Sequence, residues 1–314
     1  MADENWQRMM LEQLARDALD ERRRARRWGI LWKSLAFGLL FAVAAAFLVM
    51  VGNRERICLD KCTALVEVRG ELDSSGRASA EHVNAGLQAA FKNAGTKGVV
   101  VRVNSPGGSP VQAGQIYDEM RRLRAANPNT PLYVVVDEMA ASGGYYIAAA
   151  GDKIYVDKAS IIGSIGVIMQ GFGLAGAIEK LGIERRVYTA GENKSFLDPF
   201  EPVDPMQRAY VQKMLDEIHE QFIAAVKEGR GARLKEEPGM FSGLVWHGKR
   251  AVELGLADGF GNLDYVAREV VKADEIVDFT PEDNLADRVA RRLGATMFRE
   301  ISTSVLPSRP GLGP

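Results

Sequence analysis

The stretch KGVVVRVNSPGGSPVQAGQIYDEMRRLRAA, residues 97–126, is followed after a short gap by PLYVVVDEMAASGGYYIAAAG, residues 131–151. Each opens with an apolar, β-branched run of the kind buried on both faces of a parallel sheet. Each then breaks at paired glycines and returns as a helix. Pro106-Gly107-Gly108 precedes an amphipathic helix over 111–126, and Ser142-Gly143-Gly144 opens a short helix directly behind the second strand. Upstream, TALVEVRGEL (63–72) reads as a strand and SAEHVNAGLQAAFKNA (79–94) as a helix opened by Ser79. Downstream, KIYVDK (153–158), SIGVIMQ (164–170) and RRVYTA (185–190) read as strands, with a helix near 174–181. The irregular loop GENKSFLDPFEPVDP leads into a long helix from Met206 to Gly229. A helix from 246 to Gly255, a turn, helices near 263–272 and 284–300, and a Pro/Gly tail complete the chain. Strand–helix alternation predicts an α/β fold around a parallel sheet. The absence of a long internal duplication predicts one catalytic-type domain.

Composition narrows the function. The chain has 314 residues, with 40 basic against 41 acidic side chains and a net charge of −1. That balance leaves no electrostatic footprint for nucleic acid. The 32 glycines and 12 prolines suit a turn-rich globular fold. Two cysteines are too few for a disulfide scaffold or a four-cysteine zinc site. Three scattered histidines, His82, His219 and His247, argue against a histidine metal centre and against a His-dependent triad. Neither a metal nor a cofactor is expected.

The N-terminus has a separate logic. Ser34 to Asn53 is a run of 20 residues without a charge. As a helix rising ~1.5 Å per residue it would match the hydrocarbon thickness of a bilayer. Trp28 and Trp32 stand where amphipathic rings favour the interface, and Lys33 can snorkel. A cleaved signal peptide is the rival, but the preceding segment exceeds thirty residues and the apolar run is long for a signal sequence. An uncleaved anchor is expected. Residues 21–33 carry six bases and one acid, against three bases and two acids in 53–62. The positive-inside rule then places residues 1–33 in the cytoplasm and the chain beyond Arg54 across the membrane, in a bacterial periplasm. There Cys58 and Cys62 meet an oxidising compartment in which either a small disulfide or two free thiols fits. Residues 5–27 space Trp6, Met10, Leu14 and Ala18 as an amphipathic helix that could lie on the membrane or self-associate.

Three positions carry chemistry. Ser142 stands between a buried strand and a helix, with glycines after it that allow close backbone approach. It is either a nucleophile or a helix N-cap. No G-x-S-x-G is present, so the α/β-hydrolase reading fails. Gly107 and Gly108 end a neighbouring strand and can present backbone N–H groups, as an oxyanion hole or as a tight βα loop. A serine needs a base, and Lys194, flanked by Gly191, Ser195, Phe196, Leu197 and Phe200, is the conspicuous one. Apolar neighbours would desolvate it and lower its pKa toward neutrality. Otherwise it is a solvated surface charge.

The PGG turn, the A-S-G-G-Y-Y segment, the G-S-x-G-V segment and the G-x-x-K-S loop together resemble the signal peptide peptidase A family of bacterial Ser–Lys proteases. The motifs run in family order, with 52 residues from Ser142 to Lys194, and the likeness extends over about 63–272. The resemblance implies a Clp-protease/crotonase-like fold of repeated β-β-α units behind one N-terminal transmembrane helix. It implies Ser142 as nucleophile, Lys194 as general base, Ser164 as the hydroxyl orienting that lysine, and Gly108 with Gly143 as oxyanion-hole donors. It further implies a membrane-anchored serine endopeptidase of the bacterial inner membrane, acting on signal-peptide remnants and other small or unfolded hydrophobic peptides. Single-domain members form a ring of about eight subunits, with the serine and lysine of one site coming from neighbouring protomers. The expected organisation is a cytoplasmic segment (1–33), an anchor (34–53), a linker (54–62), a peptidase domain (63–280) and a C-terminal helix with tail (281–314). Ser109-Pro110 departs from the family, where another glycine is common after the turn.

Other readings compete. A crotonase-like protein could use the same glycine pocket to bind a thioester or peptide without cleaving it, or serve as an idle scaffold. Gly171 to Gly176 spells G-x-G-x-x-G, but a lone match late in the chain is a weak dinucleotide signature. Asp198 and Glu201 read as solvated or salt-bridged loop acids, not as glycosidase carboxylates.

Overall fold

The structure is a computed structural model that describes residues 26–43, 58 and 60–281. The chain divides into two units, residues 1–56 and 57–314. In the first, residues 26–43 are helical and exposed. Among the described residues no helix is long and apolar enough to cross a membrane. Residues 44–53 of the expected anchor, nearly all of the 5–27 helix and the 284–300 helix lie outside the described residues.

The second unit carries the sheet. Strands β1 (Cys62–Arg69), β2 (Thr96–Ser105) and β3 (Leu132–Ala141) lie side by side and parallel. Helices α1 (Ala80–Lys92) and α2 (Pro110–Ala126) form the two crossovers. Ser79 caps α1 by accepting the His82 N–H, and Ser109 caps α2 by accepting the Gln112 N–H. Pro110 takes the first turn of α2, where its missing donor costs nothing. Alternate residues of the central strands face two apolar layers. Val66, Val99, Val101 and Val134 meet the helices in the main core, while Val100, Val135 and Tyr155 meet Val266 on the other face.

Strand β3 forks the sheet. Its first half pairs with β4 (Lys153–Val156), and its last three residues pair with β5 (Ile161–Gly163). It thus runs four residues beyond the expected end at Asp137, because β5 and Ser105 of β2 supply partners there. The six-residue α3 (Gly143–Ala148) starts directly at its end. Strand β6 (Val245–His247) adds antiparallel to β5, β7 (Gly259–Phe260) extends β4, and β8 (Ile276–Asp278) flanks β1. The path β6-β5-β3-β2-β1-β8 is parallel except at β5/β6. The other helices are α4 (Ala175–Lys180), α5 (Pro205–Arg230), α6 (Gly248–Glu253) and a turn at Leu263–Tyr265 that continues to Val271.

Two expected strands are absent. SIGVIMQ and RRVYTA are irregular, with Ile168 79% and Tyr188 90% exposed. Only the start of SIGVIMQ finds a neighbour, at Leu244 and Gly243, with Ile165 buried. Beyond it, and throughout RRVYTA, no strand pairs among the described residues, and strand preference without a partner to pack against is weak. The expected helix from 246 begins two residues later, because Val245–His247 pairs with β5 first.

Arg230, at the end of α5, is fully buried behind α3. Its guanidinium stands 2.9 Å from Asp258, and its Nε–H donates to Gly255 O at 2.8 Å. Asp258 also accepts the Ile154 N–H at 2.7 Å. Burial works to raise the Asp258 carboxyl. Arg230, the Ile154 amide and Arg233 together outweigh it and hold the group below the ordinary carboxylate value. Beside this pair, Tyr145 of α3 donates its buried hydroxyl to Leu256 O at 2.9 Å, and burial pushes the phenol well above its usual range.

Candidate active site

The C-terminal ends of β2 and β3 meet around Ser142. Its backbone adopts φ 52° and ψ −126°, a left-handed conformation for a non-glycine residue. Such strain persists only where the surroundings over-determine it. Here the Ser142 N–H donates to Gly163 O at 2.8 Å, and the Ser142 carbonyl accepts from the amides of Tyr145 and Tyr146. Ser142 occupies the N-cap position of α3, yet its side chain makes no capping hydrogen bond. The hydroxyl is left for other work.

Gly107 packs against this serine. A Cβ there would stand 2.7 Å from Ser142 Cβ, 2.8 Å from Gly143 N and 2.9 Å from Ala141 O. Gly143 and Gly144 are tight in the same way, against Leu72 Cδ1 at 2.8 Å and Ser105 O at 2.7 Å. Three glycines therefore let the PGG turn and the start of α3 come into backbone contact. Leu72 fixes the other edge of the turn. Its N–H donates to Gly107 O and its carbonyl accepts from Ser109 N–H, both at 2.8 Å. In that bridge residues 107 and 109 point at Leu72, so the Gly108 N–H points away from it. Gly108 is exposed, with φ 139°, and a side chain there would run into Leu72. Among the described residues no backbone carbonyl accepts from the amide of Gly108 or of Gly143. Two free N–H donors thus flank the serine.

Ser164 follows Gly163 and shares its left-handed conformation, with φ 52°. Its N–H donates to Leu244 O at 2.8 Å. The next carbonyl, Ile165 O, accepts from Gly243 N–H at 3.1 Å and lies 3.0 Å from His219 Nε2. His219 thus braces the Ser164 turn from α5. His82 lies within α1, and His247 caps α6 through Nδ1, which accepts the Arg250 N–H.

Lys194 belongs to the loop ahead of α5. It is exposed, on a turn closed by its N–H donating to Gly191 O at 3.1 Å. Among the described residues the apolar side chains near it in sequence face other partners. Phe196 sets its edge against Tyr210, Phe200 lies under the Arg185 guanidinium, and Leu197 is exposed. Asp198 is ion-paired with Arg185, as a loop acid should be, and the pair lowers its carboxyl pKa. The glycines of the Gly171–Gly176 motif sit in open space, without the close backbone approach that a dinucleotide turn needs.

The structure thus brings Ser142, Gly108, Gly143 and the Ser164 turn into one neighbourhood and leaves Lys194 on a separate exposed loop. Sequence reasoning missed Leu72, Gly163 and His219. Gly163 opens the G-S-x-G-V segment read for Ser164, the signal that could have pointed to β5 as the strand bracing Ser142.

A serine strained at a strand–helix junction, framed by glycine amides on a forked parallel sheet, offers a hydroxyl and backbone donors of the kind that acyl chemistry uses. Residues 124–277, just under half of the chain, match the model of peptidase family S49. That match contains Ser142, Ser164 and Lys194 but not Gly108. Among relatives, a Brucella melitensis protein named Na(+)/H(+) antiporter NhaA is 47% identical over 177 residues, 56% of this chain and 24% of that one. Protease 4 of Haemophilus influenzae is 31% identical over 194 residues, 61% of this chain and 30% of that one. The chloroplastic serine protease SPPA of Arabidopsis thaliana is 27% identical over 217 residues, 68% of this chain and 32% of that one. The chain resembles peptidase family S49, the SppA family, over residues 124–277, and it spans about a quarter to a third of the length of these relatives.

Proposed function

We propose that this chain is a membrane-anchored serine endopeptidase with a Ser–Lys dyad, acting on cleaved signal peptides and other small or unfolded hydrophobic peptides. The observation that carries the reading is the strained Ser142 backbone, with its side chain released from capping and the Gly108 and Gly143 amides beside it. The names of the Haemophilus and Arabidopsis relatives support it.

In the proposed acylation, Lys194 Nζ takes the Ser142 hydroxyl proton as Oγ attacks the scissile carbonyl carbon. The carbonyl oxygen gains negative charge and accepts hydrogen bonds from Gly108 and Gly143 N–H. The C–N bond breaks, and the leaving amine receives the proton from Lys194. Water then attacks the acyl ester, giving its proton to Lys194, and the acid product departs as Ser142 regains its proton. Ser164 orients the lysine amine.

An exposed Lys194 in one chain fits the proposed ring of about eight protomers, in which one subunit's lysine serves its neighbour's serine. The exposed apolar side chains Ile168, Met169, Phe172, Leu181, Tyr188 and Val203 all fall in residues 168–203, the segment that carries Lys194 and that such contacts would cover. The uncharged run 34–53 would hold the assembly in the bacterial inner membrane, with the catalytic domain periplasmic. The Clp-protease/crotonase-like assignment is part of the same proposal, supported by the fork of β3 into two strand pairings. The exposure of Lys194 also favours a second reading, a non-proteolytic crotonase-like protein that binds peptides with its glycine amides.

Turnover of an apolar fluorogenic peptide across pH by wild type, Ser142→Ala and Lys194→Ala separates the two. Loss of turnover in both variants with assembly unchanged supports the peptidase. Equal turnover in all three removes the dyad, and a silent, assembled wild type favours the binding protein.

A further inference from the structure

We propose that Arg185 and Asp198 are positioning residues for Lys194, their ion pair fixing the loop 191–201 in the shape that presents the lysine amine. This rests on the reading of Lys194 as the base. The loop has no regular structure and little buried surface, which is the setting of a mobile segment. It is nevertheless tied down at its C-terminal half. Asp198 bonds the Arg185 guanidinium and accepts the Phe200 N–H at 2.9 Å, and its side chain is only 7% exposed. Arg185 spans the face of Phe200 at 5.2 Å from the ring centroid, so one guanidinium holds two loop residues. The Pro199 carbonyl accepts from Leu174 N–H at the start of α4. A second tie runs to α5: Leu197 N–H donates to Gln207 Oε1 at 3.1 Å, and Phe196 meets Tyr210 edge-on at 5.7 Å. Leu197, itself part of the second tie, sits at φ 55°, a conformation an untethered leucine would leave.

Turn follows turn between the ties and the lysine. Asp198 N–H donates to Ser195 O at 3.1 Å, Phe196 N–H to Asn193 O at 3.2 Å and Lys194 N–H to Gly191 O at 3.1 Å. A shift at Asp198 is therefore passed back to Lys194. The pair has a further consequence for charge. Asp198 is four residues from Lys194, and an unoccupied carboxylate there would compete for its ammonium. Arg185 occupies it, and among the described residues no carboxylate lies within ion-pair distance of Lys194.

The test uses the full chain in detergent with the apolar fluorogenic peptide. Asp198→Asn and Arg185→Gln are expected to lower kcat about tenfold, less than the roughly hundredfold cost of a 1 Å misplacement, with KM little changed. The reversed pair, Arg185→Asp with Asp198→Arg, is expected to recover more kcat than either reversal alone retains, giving a clear coupling in the cycle. Wild-type kcat in both single variants overturns the inference, as does a lowered melting temperature with kcat unchanged, or a raised KM alone. If Asp198→Asn fails to assemble, Arg185→Lys decides. It keeps the charge but loses the fork and the ring contact, and unchanged kcat there overturns the inference. Lys194→Ala in parallel separates the layers: its inactivity with unaffected pair variants sinks only the positioning role, while its full activity sinks the base assignment itself.

Discussion

Replacing Gly107 by alanine tests the site's architecture at its tightest point. The residue has φ 103°, a conformation that L side chains rarely adopt, and holding a non-glycine residue there costs about 1–3 kcal/mol. The added Cβ would also stand 2.7 Å from Ser142 Cβ and within 3 Å of two backbone atoms that belong to β3 and α3. Those atoms cannot rotate away as a side-chain tip would, so overpacking adds about 1–3 kcal/mol. A central value of about 3–4 kcal/mol lowers the melting temperature by about 6–16 °C for a domain of this size. Because the clash is with Ser142 itself, peptide turnover should fall at least tenfold even where the variant is fully folded. Gly114→Ala is the control. It lies within α2 with open space around its Cβ, and should stabilise by about 0.5–1 kcal/mol with activity intact. Thermal unfolding and peptide cleavage on the three proteins give both numbers. A Gly107→Ala variant with wild-type melting temperature and turnover would refute the packing described around Ser142.

Asp258→Ala leaves the buried Arg230 guanidinium without its acid and should cost about 3–5 kcal/mol in denaturant unfolding. Because Asp258 is held below its unfolded value, its contribution is present above about pH 4 and lost as pH falls through the folded pKa, so the wild type should lose stability in acid faster than the variant. Tyr145→Phe removes a buried donor to Leu256 O and should cost about 1–3 kcal/mol, with little change in KM. Cys58 and Cys62 form a disulfide, so thiol titration of the unfolded, unreduced chain should find none and titration after reduction should find two.

The central sheet was legible because its strands are buried on both faces. VVVRV and LYVVV have no polar alternation to mislead, and the glycines after them mark backbone contact that only a missing Cβ permits. The peripheral strands were not legible. Val245–His247 and Gly259–Phe260 are two or three residues long and exist because β5 and β4 offer a free edge, a property of the assembled sheet. RRVYTA, and SIGVIMQ beyond Ile165, show the reverse, carrying strand-like composition with no pairing strand among the described residues. At the site, Ser142 and Gly108 could be read from their turns, since each ends a strong strand. Leu72 could not, as its role comes from its two main-chain hydrogen bonds to the PGG turn. The surroundings of Lys194 were misread because Phe196 and Phe200, two and six residues after it, turn to Tyr210 and Arg185.

The most direct measurement is the location of the covalent adduct after treating the assembled protein with a fluorophosphonate, read by peptide mass mapping. The account predicts a single adduct on Ser142, absent in Ser142→Ala and formed far more slowly in Lys194→Ala. An adduct on another serine, or undiminished labelling of Ser142→Ala, would contradict it.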